Sequence, residues 1–173
     1  AEEFLRKQLF QWKYFPADMI LAPYFPVQKI MHSTENGWTV SEEILATDSK
    51  NHIVSHEYHD LLADESALEQ FHLPVVTYDK EATMAQYERI ANAIGDILPV
   101  RLTGHNSYFS TWDDIARYRG VTPLLMDLVE RPEYTHQIVS KMTEYYISLS
   151  EQMEALGLYE LEPLDIHCTS ALN

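Results

Sequence analysis

The chain has 173 residues, 46% of them hydrophobic and 12% aromatic, enough apolar material for one substantial core and too much for a disordered polypeptide. Lys plus Arg number 12 against 27 Asp plus Glu, a formal net charge of −15, so nucleic acid and anionic membrane surfaces are excluded as partners of first choice. No apolar run reaches the roughly 20 residues of a membrane helix, Ala1-Glu2-Glu3 lacks the basic start of a signal peptide, and the single cysteine, Cys168, fits a reducing, cytoplasmic setting and excludes a Cys-only zinc site.

Residues 3–12 read as a helix from the first turn, without a Ser, Thr or Asp cap to begin it. The chain stops at Ser170-Ala171-Leu172-Asn173, directly after a strand-like run, so a fragment of a longer protein is expected. Met19-Ile20-Leu21-Ala22 predicts a short buried strand closed by Pro23. Residues 27–31, 38–40, 44–47 and 52–56, separated by turn-rich Glu35-Asn36-Gly37 and Asp48-Ser49-Lys50-Asn51, predict an antiparallel β-meander. Residues 64–71 predict one short helix, and residues 72–78 an extended connector.

The second half has helical periodicity. Met84, Tyr87, Ala91 and Ile94 form one stripe over residues 80–94, with Gly95 placed to end it in the left-handed region. Residues 98–102 predict a strand. Thr111-Trp112-Asp113-Asp114 has capping-box spacing, so a helix should start there and stop near Gly120. Pro123 and Pro132 suit the first position of further helices, since a missing N–H costs nothing there. Ile138, Met142, Tyr145, Leu149, Met153 and Leu156 recur every three or four residues, which predicts the longest helix, ending at Gly157. Residues 164–168 predict a closing strand. Strand, helices, strand is the order of a parallel pair joined by a crossover, so 98–102 and 164–168 should lie side by side.

In parallel α/β architectures functional groups gather at the C-terminal ends of strands. The first such end is Thr103-Gly104-His105-Asn106-Ser107-Tyr108, where His105, Asn106 and Tyr108 offer proton-transfer and hydrogen-bonding groups. At the second, Asp165 and His167 share one strand face, so Asp165 could orient His167 as a base or ligand. His167 and Cys168 form a two-residue zinc candidate, weighed against a buried structural cysteine. His52, His56 and His59 also have ligand spacing, although a solvated meander face explains them as well.

Trp112 to Gly120, followed by Leu124-Leu125-Met126-Asp127-Leu128 and then Pro132-Glu133-Tyr134-Thr135-His136, resembles the uroporphyrinogen decarboxylase superfamily, which includes the corrinoid-linked methyltransferases. Residues 73–79 and 95–100 look like the stretch preceding that motif in methyltransferase-type members, so the likeness runs from about Gln11 onward. The resemblance implies an α/β chain that is an incomplete (α/β)8 TIM barrel fragment carrying an N-terminal antiparallel β-meander. A complete barrel takes about 250 residues. The expected organisation is one partial domain over 1–173, with the N-terminal helix, first strand and meander in 1–79 and βα units in 80–173.

The decarboxylase branch uses an N-terminal Arg-rich substrate loop and an early Asp, neither of which is found here. The zinc methyltransferase branch uses a His-x-Cys pair with a later Cys; here His167 and Cys168 are adjacent and no later Cys follows. What the resemblance implies is a corrinoid-dependent methyltransferase acting on a small substrate, its corrinoid held by a partner protein. Its expected catalytic residues are His105, Asp165 and His167, and Asn106, Tyr108 and Arg101 would bind substrate. Open sheet edges would be covered by a second copy of the chain, by the meander or by a missing segment. The alternatives are a decarboxylase whose Arg101 or Arg119 binds a carboxylate, and an acidic binding module without catalysis.

Overall fold

The computed structural model describes residues 1–15, 21–45, 55–106 and 108–162. In chain order it contains α1 (Glu2–Tyr14), β1 (Phe25–Gln28), β2 (Ile30–Ser33), β3 (Glu42–Leu45), β4 (Ser55–Tyr58), a 3-10 turn (Glu65–Gln70), β5 (Val76–Asp79), α2 (Lys80–Ile94), β6 (Val100–Thr103), α3 (Thr111–Arg119), α4 (Val121–Glu130) and α5 (Pro132–Ala155). Two compact units share these elements. The first takes the described residues of 1–32, 77–107 and 154–173, the second those of 33–76 and 108–153.

The first unit is built on parallel pairing. β1 and β6 run the same way with Phe25 opposite Val100 and Gln28 opposite Thr103. The ladder continues at both ends, through Phe25 N to Pro99 O at 2.7 Å and Lys29 N to Thr103 O at 2.9 Å. Two residues past β6, His105 forms a parallel bridge with Tyr159. Its N–H donates to Leu158 O at 2.8 Å, and Glu160 N donates to His105 O at 3.0 Å. The approach requires a glycine, since a Cβ on Gly104 would stand 2.2 Å from the carbonyl carbon of Tyr159. β2 pairs with β5. At the end of β5, Asp79 caps α2 by accepting from Ala82 N at 2.8 Å. The fully buried Thr83 hydroxyl donates to Asp79 O and accepts from Ile30 N, which ties α2 to β2 with no polar group unpaired.

The second unit packs α3, α4 and α5 around Trp38, Leu62, Ala67, Ile115, Leu124, Tyr134, Ile138 and Met142. Trp38 is anchored at both ends, its backbone N–H donating to Asn36 Oδ1 at 3.0 Å and its indole N–H to Ala67 O at 2.8 Å. Asp127 is buried and accepts from Arg119 Nε at 2.7 Å and Arg131 Nε at 2.8 Å; Arg119 also pairs with Asp60. Gly120 at φ +83° closes α3 and opens α4, a backbone state that favours glycine.

The chain is therefore mixed α/β, with small parallel and antiparallel sheets, and no closed barrel forms among the described residues. The meander is corrected to a single antiparallel hairpin, β3 with β4. Residues 27 and 28 leave it because they end β1, whose partner is the parallel β6, a pairing across more than 70 residues that local alternation does not encode, and residues 30 and 31 belong to β2, which pairs with β5. Residues 38–40 form no strand; Trp38 serves as a core anchor instead. Thr111 is the first helical residue of α3 rather than its cap, because Asp114 is drawn away by the Tyr146 hydroxyl and Arg117. Gly95 is right-handed, at φ −67°. Leu21 and Ala22 lie outside any strand, while residues 19 and 20 fall outside the described segments. The α2, α3 and α5 expectations match within two residues, and residues 64–71 tighten to a 3-10 turn.

Candidate functional site

The C-terminal end of β6 opens into a hollow of about 970 Å³ within the first unit, lined among others by Lys29, Arg101, Glu154, Gly157, Glu160 and Glu162. Its size falls in the range of small-molecule sites. Lys29 follows directly after β1, Arg101 sits on β6, Glu154 lies in the last turn of α5, and Glu160 and Glu162 come from the segment that leaves it.

Glu160 is the best-held group. Its side chain is 10% exposed and takes Arg101 Nη2 at 2.8 Å. It also accepts the Gly104 N–H at 2.9 Å and the Glu162 N–H at 2.9 Å. Burial alone would raise its pKa; the N–H groups of Glu162 and Gly104, with Arg101 and Lys29 nearby, outweigh that and hold it below the usual carboxylate range. Arg101 is shared more widely. It stacks over Tyr24 at 5.0 Å and reaches the exposed Glu162 at 3.3 Å. Lys29 Nζ donates to Gly157 O at 2.5 Å, placing a cation where the end of α5 leaves carbonyls without helical partners.

His105 is half-buried and its Nε2 lies 2.7 Å from Lys29 O. A carbonyl can only accept, so Nε2 carries the proton and Nδ1 the lone pair in the neutral ring. The structure thus places His105 and Arg101 on the same parallel strand run of the first unit. Asn106 is exposed in that unit, and Tyr108 is half-exposed in the second. Asp165, His167 and Cys168 lie outside the described residues. So does the predicted strand 164–168; the parallel neighbour found beside the end of β6 is at Leu158 to Glu160. Arg119 is committed to Asp127 and Asp60.

No three His, Cys, Asp or Glu side chains among the described residues are grouped to hold a metal ion. His56 is paired with Glu42 and His59 with Ser41 and Glu43 across the β3–β4 hairpin, while His52 lies outside the described residues. Sequence reasoning missed Lys29, Glu154 and Glu160. The one available signal was Gly157: a glycine closing a long helix leaves carbonyls that attract a cation. No helix is long and apolar enough to cross a membrane among the described residues. No family model, curated protein or solved structure matches this chain.

Proposed function

We propose that the chain is part of a cytoplasmic, corrinoid-linked methyltransferase of the uroporphyrinogen decarboxylase superfamily, a TIM barrel fragment whose small substrate binds in the hollow beyond β6. The observation that carries this reading is the parallel run of three chain-ordered segments, β1, β6 and Leu158 to Glu160, with polar side chains gathered at its C-terminal end. A β/α barrel presents its substrate groups in that place.

In this reading the corrinoid is carried by a partner protein and supplies the methyl-bearing cobalt. The chain's own residues bind and orient the small substrate. Arg101 and Glu160 form an ion pair in its lining, Gly104 lets the backbone approach closely, and His105, two residues past β6 with Nε2 committed to Lys29 O, is the proton-handling group of this reading. The described residues do not make a zinc centre, and no step here is assigned to one.

The test is chain-dependent methyl transfer from methylcobalamin, offered as the methyl-donor substrate, to a panel of small thiols and amines, followed by the visible spectrum of the cobalamin. Catalysis that falls at least tenfold in His105→Ala supports the reading. No transfer above the uncatalysed rate with any acceptor, or full activity in His105→Ala, overturns it. Carbon dioxide release from carboxylated substrates without cobalamin would favour the decarboxylase alternative.

A further inference from the structure

Helix α4 is apolar on two faces, and the second unit uses one of them. Leu124 and Asp127, three residues apart, are buried, Leu124 in the core and Asp127 against Arg119 and Arg131. Val121, Leu125, Leu128 and Val129 follow the spacing i, i+4, i+7 and i+8, a second stripe about a third of a turn round the helix from the first. With Met126 at its margin, the members of this stripe are between 47% and 82% exposed. A helix clothed in apolar side chains over so much of its circumference is ordinarily covered.

The stripe also selects its cover. On a chain of net charge −15 it carries no charged side chain: α4 has two, Asp127 on the buried face and Glu130 at its last residue, turned away from the stripe by the helical spacing. A basic partner, which the net charge would otherwise attract, finds no carboxylate there to meet, so the surface that fits is itself apolar and uncharged. The stripe answers that description. Val121, Leu125 and Val129 form one i±4 ridge that reads the same in both directions about Leu125. A two-fold axis through Leu125 sets a second α4 antiparallel to the first, so that Leu125 meets its own copy and each Val121 meets a Val129, the self-complementarity that a closed two-fold contact requires. Two such ridges interdigitate at a crossing angle of about −50°. The exposed apolar area amounts to roughly 500 Å² on each copy and about 1,000 Å² across the pair, where specific contacts begin.

We infer that α4 is a homodimerisation surface, on which a second copy of this chain docks antiparallel through Val121, Leu125, Leu128 and Val129. The surface lies in the second unit and shares no residue with the hollow beyond β6, so the pairing stands or falls independently of the proposed reaction. Repulsion between two chains of net charge −15 opposes the contact and salt screens that repulsion, so the dimer tightens as ionic strength rises.

The experiment is sedimentation equilibrium of the full chain, under reducing conditions, over about 5 to 500 µM, the range suited to a contact of this size. The mass is expected to double across it, with an affinity about threefold higher in high salt than in low salt. Leu125→Glu removes two apolar side chains from the contact and sets two carboxylates against each other on the axis; it should weaken the dimer at least about tenfold while circular dichroism stays unchanged, because the residue is exposed in the single chain. In a Cys168→Ser background, Val121→Cys and Val129→Cys should cross-link with each other on mild oxidation faster than either does with itself. A mass that stays monomeric throughout overturns the dimer. Undiminished association in Leu125→Glu overturns the assignment to α4, weakening by salt overturns the apolar character of the contact, and preferential cross-linking of like with like overturns the antiparallel order.

Discussion

Replacing Asp127 by Asn removes the centre of the ion network in the second unit. Asp127 is 3% exposed and accepts four guanidinium N–H contacts, at 2.7 and 3.3 Å from Arg119 and 2.8 and 3.0 Å from Arg131. Asn offers one oxygen and turns an NH2 group toward donors, so Arg119, itself 8% exposed, keeps only Asp60 as a charge partner. Breaking a buried pair from one side costs about 3–5 kcal/mol. The lower end applies, because Asp60 remains and Arg131 is 29% exposed on its side chain and can turn to water. A loss of about 3 kcal/mol corresponds to a fall in melting temperature of roughly 6–12 °C for a chain of this size.

The pH dependence supplies an independent check. Arg119 chiefly, against the opposing effect of burial and with help from Arg131, holds the Asp127 carboxyl below its ordinary 3.8. A folded-state pKa that is depressed contributes stability above the unfolded value and loses it as pH falls through the folded value. The gap between wild type and Asp127→Asn should therefore be full at pH 7 and shrink below about pH 3.8, where Asp127 begins to be protonated on unfolding. Urea denaturation at pH 7 and pH 3 measures both. A cost under about 1 kcal/mol, the worth of an exposed pair, or a gap that does not change with pH, refutes the assignment.

Gly104→Ala should break the His105–Tyr159 bridge, because the new Cβ would meet Tyr159 and Glu160 backbone atoms at 2.2 and 2.3 Å; hydrogen exchange should lose protection at the His105 and Glu160 amides while the second unit keeps its own. Tyr118, Tyr134, Tyr145 and Tyr146 all have phenol pKa values raised above 10.0, mainly by burial, and in Tyr146 also by its bond to Asp114. Their neutral forms stabilise the fold below pH 10 and progressively less above it, so the melting temperature should drop between pH 9 and pH 11, and less so in Tyr146→Phe. In the neutral ring His105 should show the Nε2–H tautomer in nitrogen NMR shifts; an Nδ1–H signal would contradict its bond to Lys29 O.

The elements legible in the sequence are those whose information is local. A stripe at helical spacing gives α2 and α5 to within two residues, and Pro132 opens α5 where its missing N–H costs nothing. Strand partners are not local. Residues 27–31 read as a meander strand, yet Val27 and Gln28 end β1 and pair with β6 across more than 70 residues, and no period in either segment announces the other. The Thr111 capping box fails for a related reason: Asp114 satisfies the local spacing, but a tyrosine 32 residues on competes for its carboxylate.

The candidate site follows the same division. The sequence singles out His105 because a βα loop with a polar run stands where such loops carry chemistry, and Arg101 as a cation suited to a substrate. Glu160 was not, because Glu-Leu-Glu after a helix reads as solvated surface until the parallel bridge brings it against Gly104 and Arg101. The two facts are connected. The His105–Tyr159 bridge sets the register that places Glu160 against the Gly104 N–H, so the backbone pairing that admits only glycine at 104 also positions the carboxylate that holds Arg101. Arg101 Nη2 is then committed to Glu160, while Nη1 is shared between the Tyr24 hydroxyl at 3.4 Å and the exposed Glu162 at 3.3 Å. Loss of Glu160 should therefore unseat Arg101 and the loop together, whereas loss of Glu162 should leave both in place.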